Sequence, residues 1–314
     1  MKGLRFGIVD LGSNAIRSRI IEIDEDGQSR KVMKHRDSLR VGSEVYQHGH
    51  LSDQLIEEVT IALREFRSRC HEFDVHRVRA VATAAIRDAD NAQEALDRIR
   101  NGSGIELEII TGAAEAQLMV QAVTTRIDLS HGTSVLADLG SGSLELAVIT
   151  DGQVATVSSL PLGALLLHAR IIIASPDEDA SPLALLDKHL ESQREMLADA
   201  LPSKGADRCL ALGGNAEDLS ALIANEPRNG RKNILAVPTT SLRPWAERLA
   251  KMTIAERVKQ LDLRPDRADT ILPAAVIFDQ ITSITGVNLL TVPHISISEG
   301  LLEDLLAGGG QNIA

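Results

Sequence analysis

Ile-Val-Asp-Leu-Gly-Ser-Asn at residues 8–14 returns as Leu-Ala-Asp-Leu-Gly-Ser-Gly-Ser at 136–143, with Asp10 and Asp138 standing 128 positions apart. Each copy closes a short apolar run. Each is followed by a second such run, "RSRIIEID" and "SLELAVIT", and then by an Asp-Gly pair, Asp26-Gly27 and Asp151-Gly152. Asp-Gly between apolar runs is a strong hairpin signal. Aligning Asp10 with Asp138 pairs the two hairpins to within three residues. Chance reuse of a common turn would match the turn alone, whereas here strand, turn, strand and hairpin recur together, as an internal duplication predicts.

The rest of the 314 residues suffices for two domains. After a third strand, "RKVMKHR", a helix is predicted from an N-cap at Ser52, with Ile56, Val59, Leu63, Phe66 and Cys70 forming one apolar stripe. "RVRAVAT" reads as a strand, "NAQEALDRIR" as a helix stopping at Gly102, "IELEII" as a strand and "AAEAQLMVQAVTTRI" as a helix. In the second half, helices are predicted around 163–174 and 182–200. The strand "RCLAL" then enters Gly213-Gly214, and further helices end in "SEGLLEDLLAG". The acidic stretch 175–182 and the stretch 224–233 read as loops. The expected boundary lies near 125–132. This gives domains 1–128 and 129–314, with the last helix packing back on the first domain.

Composition narrows the function. One Trp, one Tyr and four Phe leave few rings for stacking bases, and the net charge of −11 argues against nucleic acid as a partner. Local positive potential would still admit a small phosphorylated ligand. Cys70 and Cys209 read as buried free thiols. No apolar run approaches the ~18 residues of a membrane span, and the N-terminus lacks signal-peptide flanks, so no membrane partner and a cytoplasmic location are expected. The nine histidines show no zinc spacing; His48 and His50 come nearest and read as a solvated turn.

The repeated turn carries the chemistry. A strand ending in Asp and then Gly-Ser sets a carboxylate at the sheet edge, with small residues beyond it whose backbone N–H groups can approach an anion. Beside phosphate, such a carboxylate holds a divalent cation or orients water. Two such turns facing each other would clamp a chain of phosphates. Two ordinary hairpin turns are the bland alternative.

The ordered blocks "GIVDLGSNAIRSRIIEI", "VATAAIRDADN", "ELEIITGAAEAQLM", "VLADLGSGSLELAVI" and "LRPDRADTILPAAVI" resemble the exopolyphosphatase/guanosine pentaphosphatase (Ppx/GppA) phosphatase family over nearly the whole chain. The resemblance implies an α/β fold of two duplicated ribonuclease-H-like domains, as in the actin-like and sugar-kinase-like ATPase superfamily, with the active site in the interdomain cleft. It implies a first phosphate loop at Gly12, Ser13 and Asn14, with Arg17 and Arg87 as phosphate contacts. It also implies a second loop at Gly140, Ser141, Gly142 and Ser143. Glu115 falls on the family's catalytic carboxylate, and Asp10, Asp138 and Glu145 would hold Mg²⁺. Gly213 and Gly214 resemble a further phosphate loop, or are a plain strand-to-helix turn. A homodimer is the family-level expectation.

There are departures. The family's second loop usually reads Asp-Ile-Gly-Gly-Gly-Ser-Thr-Glu, whereas Ser141 and Leu144 stand here for a Gly and the Thr. Ala114 and Gln117 stand for a Glu and an Arg, and "SEGLL" keeps only Glu299 and Gly300 of Arg-Glu-Gly. The implied reaction is metal-assisted water attack on a phosphoanhydride of inorganic polyphosphate. A phosphorylated guanosine nucleotide is the second substrate. A weakly active polyphosphate- or nucleotide-binding sensor and an ATP-dependent phosphotransferase stay open. Arg64, Arg67, Arg69, Arg77 and Arg79 read either as a polyanion guide or as a solvated face.

Overall fold

Two six-stranded sheets organise the chain in the computed structural model, which describes residues 3–175, 180–226 and 234–313. The strands of the first sheet are β1 (Leu4–Leu11), β2 (Ile16–Ile23), β3 (Ser29–Asp37), β4 (Arg77–Ala82), β5 (Glu108–Ile109) and, from the far end of the chain, β12 (Gln311–Asn312). Those of the second are β6 (Thr133–Leu139), β7 (Leu144–Thr150), β8 (Gln153–Leu160), β9 (Arg208–Leu212), β10 (Leu235–Pro238) and β11 (Leu289–Val292). In the first sheet β1 pairs antiparallel with β2, β2 antiparallel with β3, and β1 parallel with β4. The second repeats this with β6, β7, β8 and β9. The duplication in the sequence is thus a duplicated topology.

The predicted stripe forms the helix Asp53–Glu72, capped by Ser52 Oγ accepting from Leu55 N at 3.2 Å, with all five stripe residues buried. Several expectations need correction. The helix Ala92–Ser103 runs through Gly102 and ends on Gly104, which takes the left-handed conformation (φ 71°) that only Gly adopts without strain. "IELEII" contributes only Glu108–Ile109 to the sheet, beside β4. The helices expected at 163–174 and 182–200 are each in two parts. The first is Ala164–Leu167 with the π-helical turn His168–Ile173, and the second is Pro182–Ser192 with Arg194–Asp199. Residues 176–179 and 227–233 of the two expected loops lie outside the described residues.

The chain divides into two compact units, Met1–Thr111 with Ile297–Ala314, and Gly112–Ser296. The division precedes the helix Gly112–Thr124 instead of following it at 128/129. That helix packs on β7 and β8, burying Ala116, Met119, Ala122 and Val123. The last helix, Ile297–Leu306, lies on β1 and β4 of the first unit. The core of the second unit is aliphatic and centred on the helix Ile271–Thr285, where Phe278 is fully buried. Cys70 and Cys209 are free and buried, and burial pushes both thiols up to about 12.

Candidate active site

In the first unit, Asp10 ends β1 as a buried carboxylate, and the antiparallel register places Arg17 directly across from it. Arg17 Nη1 donates to Asp10 Oδ2 at 2.9 Å. The loop that follows closes on itself, Gly12 N donating to Ala15 O at 3.1 Å. It is braced from outside by the start of the helix Val41–His48: Gly42 N donates to Ser13 O at 2.7 Å and Arg40 N to Asn14 O at 3.3 Å. Ser13 Oγ lies 2.7 Å from the hydroxyl of Tyr46 in a buried hydrogen bond, so its hydroxyl is engaged within the protein. Beyond β4, Arg87 ends the short helix Ala84–Arg87 and donates from Nη1 to Ile110 O at 2.9 Å.

In the second unit the residue across from Asp138 is Glu145. Two carboxylates therefore stand on one face at the mouth of the Gly140–Ser143 loop, an arrangement that like-charge repulsion disfavours unless a cation sits with them. Glu145 is 1% exposed, and its Oε1 accepts from Ser159 Oγ at 2.9 Å. The loop is braced as the first one is. Ala164 N donates to Gly140 O at 3.1 Å, and Leu165 N to Ser141 O at 2.9 Å. A Cβ at Gly163 would sit 2.1 Å from the Gly142 carbonyl carbon, so only glycine lets this backbone approach. Gly213 (φ 87°) brings the turn after β9 against the same carboxylate, since a Cβ there would lie 2.9 Å from Asp138 Oδ1. The buried guanidinium of Arg267 lies behind Gly214. Glu115 is half-buried in the first turn of Gly112–Thr124, and its Oε2 is shielded from water.

The structure thus gathers Asp10, Gly12, Ser13, Asn14 and Arg17 in one place, and Asp138, Gly140, Ser141, Gly142, Ser143, Glu145, Gly213 and Gly214 in another. Mg²⁺ asks for oxygen ligands and is usually held by one or two carboxylates plus substrate phosphates. Asp138 and Glu145 fit that pattern. Asp10, already bound to Arg17, fits a cation less well. Among the described residues no group of three or more His, Cys, Asp or Glu could hold a metal alone.

Leu144 faces the core, on the opposite side of β7 from Glu145, so the missing Thr hydroxyl is not a gap beside the carboxylates. Four of the arginines at 64–79 are engaged within the protein. Arg64 donates to Gly102 O at 3.0 Å, Arg69 to Glu72 at 2.8 Å and Arg77 to Gly310 O at 3.2 Å. Arg79 pairs with Glu108 and with Asp304. His48 and His50 are exposed, as a solvated turn requires. Sequence reasoning missed Ser159 and the bracing glycines. A second repeat could have found them: "SLRVG" at 38–42 and "SLPLG" at 159–163.

The model of the Ppx/GppA phosphatase family matches residues 20–308. The chain is 24% identical over 303 residues to exopolyphosphatase 1 of Mycobacterium tuberculosis, covering 95% of this chain and 87% of that protein. It is 26% identical to exopolyphosphatase 2 of the same organism over 314 residues, with 95% and 97% covered. Among solved structures, the Ppx/GppA family member of Aquifex aeolicus superposes with a TM-score of 0.79 at 28% identity, covering 98% and 99% of the two chains. An exopolyphosphatase from Cytophaga hutchinsonii superposes at 0.86 and 22% identity over 97% and 98%, a likeness of fold. No helix among the described residues is long and apolar enough to cross a membrane.

Proposed function

We propose that this chain, which belongs to the Ppx/GppA phosphatase family, releases the terminal phosphate of inorganic polyphosphate by water attack on its phosphoanhydride bond. The observation that carries this reading is the opposed pair Asp138 and Glu145 at a glycine loop, in the same unit as the half-buried Glu115. Glu115 orients the attacking water and takes its proton as the P–O bond to the new phosphate forms. Backbone N–H groups of the two Asp-Leu-Gly-Ser loops, with Arg17 and Arg87, bind phosphoryl oxygens and neutralise charge gathering on them. The bond to the leaving phosphate breaks, and the shortened chain departs.

Asp138 and Glu145 would hold Mg²⁺, which when bound polarises phosphoryl oxygens and lowers the pKa of water. Ser159 holds Glu145 in place, and Asp10 holds Arg17. The family-level expectations of a homodimer and a cytoplasmic location go with this reading; sedimentation of the purified protein tests the first.

The test is phosphate release from polyphosphates of defined length and from guanosine pentaphosphate, with Mg²⁺, comparing wild type with Glu115→Gln. Release from polyphosphate that the variant loses supports the reading. Release from the nucleotide alone would make the chain a guanosine pentaphosphate phosphohydrolase. Release from neither substrate would leave a binding protein.

A further inference from the structure

The third strand of each duplicated unit lies at the edge of its sheet, and the two edges differ in chemistry. β3 closes the order β12-β4-β1-β2-β3, and β8 closes β10-β11-β9-β6-β7-β8. Each pairs with the strand before it, β3 with β2 and β8 with β7. Along its free side an edge strand presents N–H and C=O groups on which another strand can pair. In β3, Arg30, Lys31, Lys34, Arg36 and Asp37 are charged. Two copies of such a strand would bring cations together, which is how natural sheets keep their edges apart. β8 reads Gln-Val-Ala-Thr-Val-Ser-Ser-Leu, without a charge, a proline or a glycine.

The uncharged strip is wider than the strand. The helix Gly112–Thr124 packs beside β8, and its single charged residue is Glu115. Its exposed positions Ala113, Gln117, Gln121 and Thr124 are neutral. Charged residues make up 25% of the chain, so one charge in these two elements is a marked depletion. Burial is not the cause: Gln153, Val154, Ala155 and Thr156 are all exposed, Val154 to 50%. Two copies of net charge −11 repel, and a strip lacking acids is where that repulsion is smallest. An uncharged, β-branched edge left open invites aggregation, whereas pairing with its own copy satisfies it.

We propose that β8 pairs antiparallel with β8 of a second copy of this chain, joining two six-stranded sheets edge to edge. A two-fold axis crosses the strand, so the same patch serves both copies. Main-chain hydrogen bonds supply the attraction, and the neutral helices flank the joint. The homodimer expected for the family thereby acquires a definite surface.

The test is sedimentation equilibrium of wild type, Val154→Lys, Val154→Lys/Thr156→Lys and Leu289→Lys, without substrate. Leu289 on β11 is the control, since at 51% exposed it matches Val154 and lies in the same unit. Wild type is expected to be a dimer. Val154→Lys should raise the dissociation constant of that dimer at least about tenfold, because it sets like charges across the joint. The double variant raises it further, and Leu289→Lys changes it less than about twofold.

Cysteine variants give a second reading that adds no charge. Val154→Cys, Ala155→Cys, Thr156→Cys, Val157→Cys and Ser158→Cys are made and oxidised one at a time. Directly opposed residues of an antiparallel pair have Cα atoms about 4.5–5.5 Å apart, within reach of a disulfide. Only residues near the two-fold axis meet their own copies, so cross-linking should peak within the strand and fall on either side. Cys70 and Cys209 are free and buried, so wild type should stay without cross-links.

A wild type that sediments as a monomer throughout overturns the proposal, and so does a dimer that Leu289→Lys weakens as much as Val154→Lys. A dimer untouched by both Val154 variants, with no cross-linking peak on β8, overturns it too. If a lysine variant fails to fold, the cysteine scan decides. Association is read without substrate, so failure of the hydrolase reading leaves these outcomes unchanged.

Discussion

The two Asp-Leu-Gly-Ser loops differ at one decisive position. Across from Asp10 stands Arg17, and across from Asp138, at the same place in the duplicated topology, stands Glu145. In the first unit a carboxylate is neutralised within the protein, leaving a guanidinium at the loop mouth. In the second, two carboxylates oppose each other. The scaffold was copied while the charge across from the Asp was inverted, which on the proposed reading suits one loop to phosphate and the other to metal and water. The braces match too: Gly42 lies against Ser13, as Gly163 lies against Gly142.

The largest expected effect separates chemistry from binding. Glu115→Gln should lower kcat by about a hundredfold to ten-thousandfold with little change in KM, the range of a lost general base. Should phosphate release barely change in a stopped assay, the second unit does not hold the base.

Next comes metal dependence. Glu145→Gln should raise the Mg²⁺ concentration for half-maximal activity at least about tenfold, since one of two charged ligands is lost. Asp10→Asn should leave that concentration within about twofold, because its carboxylate is held by Arg17. Equal responses of the two loops to Mg²⁺ titration would erase the contrast.

The braces give a smaller, structural effect. Gly163→Ala forces a methyl into the Gly142 backbone and should cost about 1–3 kcal/mol of stability, read from urea unfolding. Gly42→Ala meets Ser13 Cβ at 2.8 Å and the Tyr46 ring at 2.7 Å, where the ring can shift, and should cost less.

The smallest effects concern single hydrogen bonds. Ser159→Ala removes the bond to Glu145 and should cost about 1 kcal/mol, appearing as a several-fold loss in Mg²⁺ affinity. Tyr46→Phe removes the bond to Ser13 and should cost a similar amount in stability, with Mg²⁺ dependence unmoved. If Ser159→Ala affects only stability, Ser159 does not position Glu145 for metal.

Much of this was legible in the chain. Apolar runs ending at Asp10 and Asp138, and the Asp-Gly hairpins, located β1, β2, β6 and β7, because strand period and turn chemistry are local properties. The Ser52 cap and the stripe Ile56 to Cys70 located a long helix for the same reason. The resemblance pointed to the loops after Asp10 and Asp138 and to Glu115 as candidate site residues. Local signals failed where partners are distant. Ala116 and Met119 read as an apolar helix face without saying which sheet it covers, so the sequence alone puts the boundary after the helix. Arg64 and Arg77 read as a basic run, although each donates to a backbone carbonyl far along the chain.

By itself, then, the sequence determined the duplicated strand–turn–strand units, their acids and their glycines, since these depend on residues close in the chain. Only the tertiary structure decided which charge faces which. Arg17 opposes Asp10 and Arg36, Glu145 opposes Asp138, and Ser159 reaches Glu145, all through strand register. A shift of one residue in that register would send every one of these side chains to the other face of its sheet.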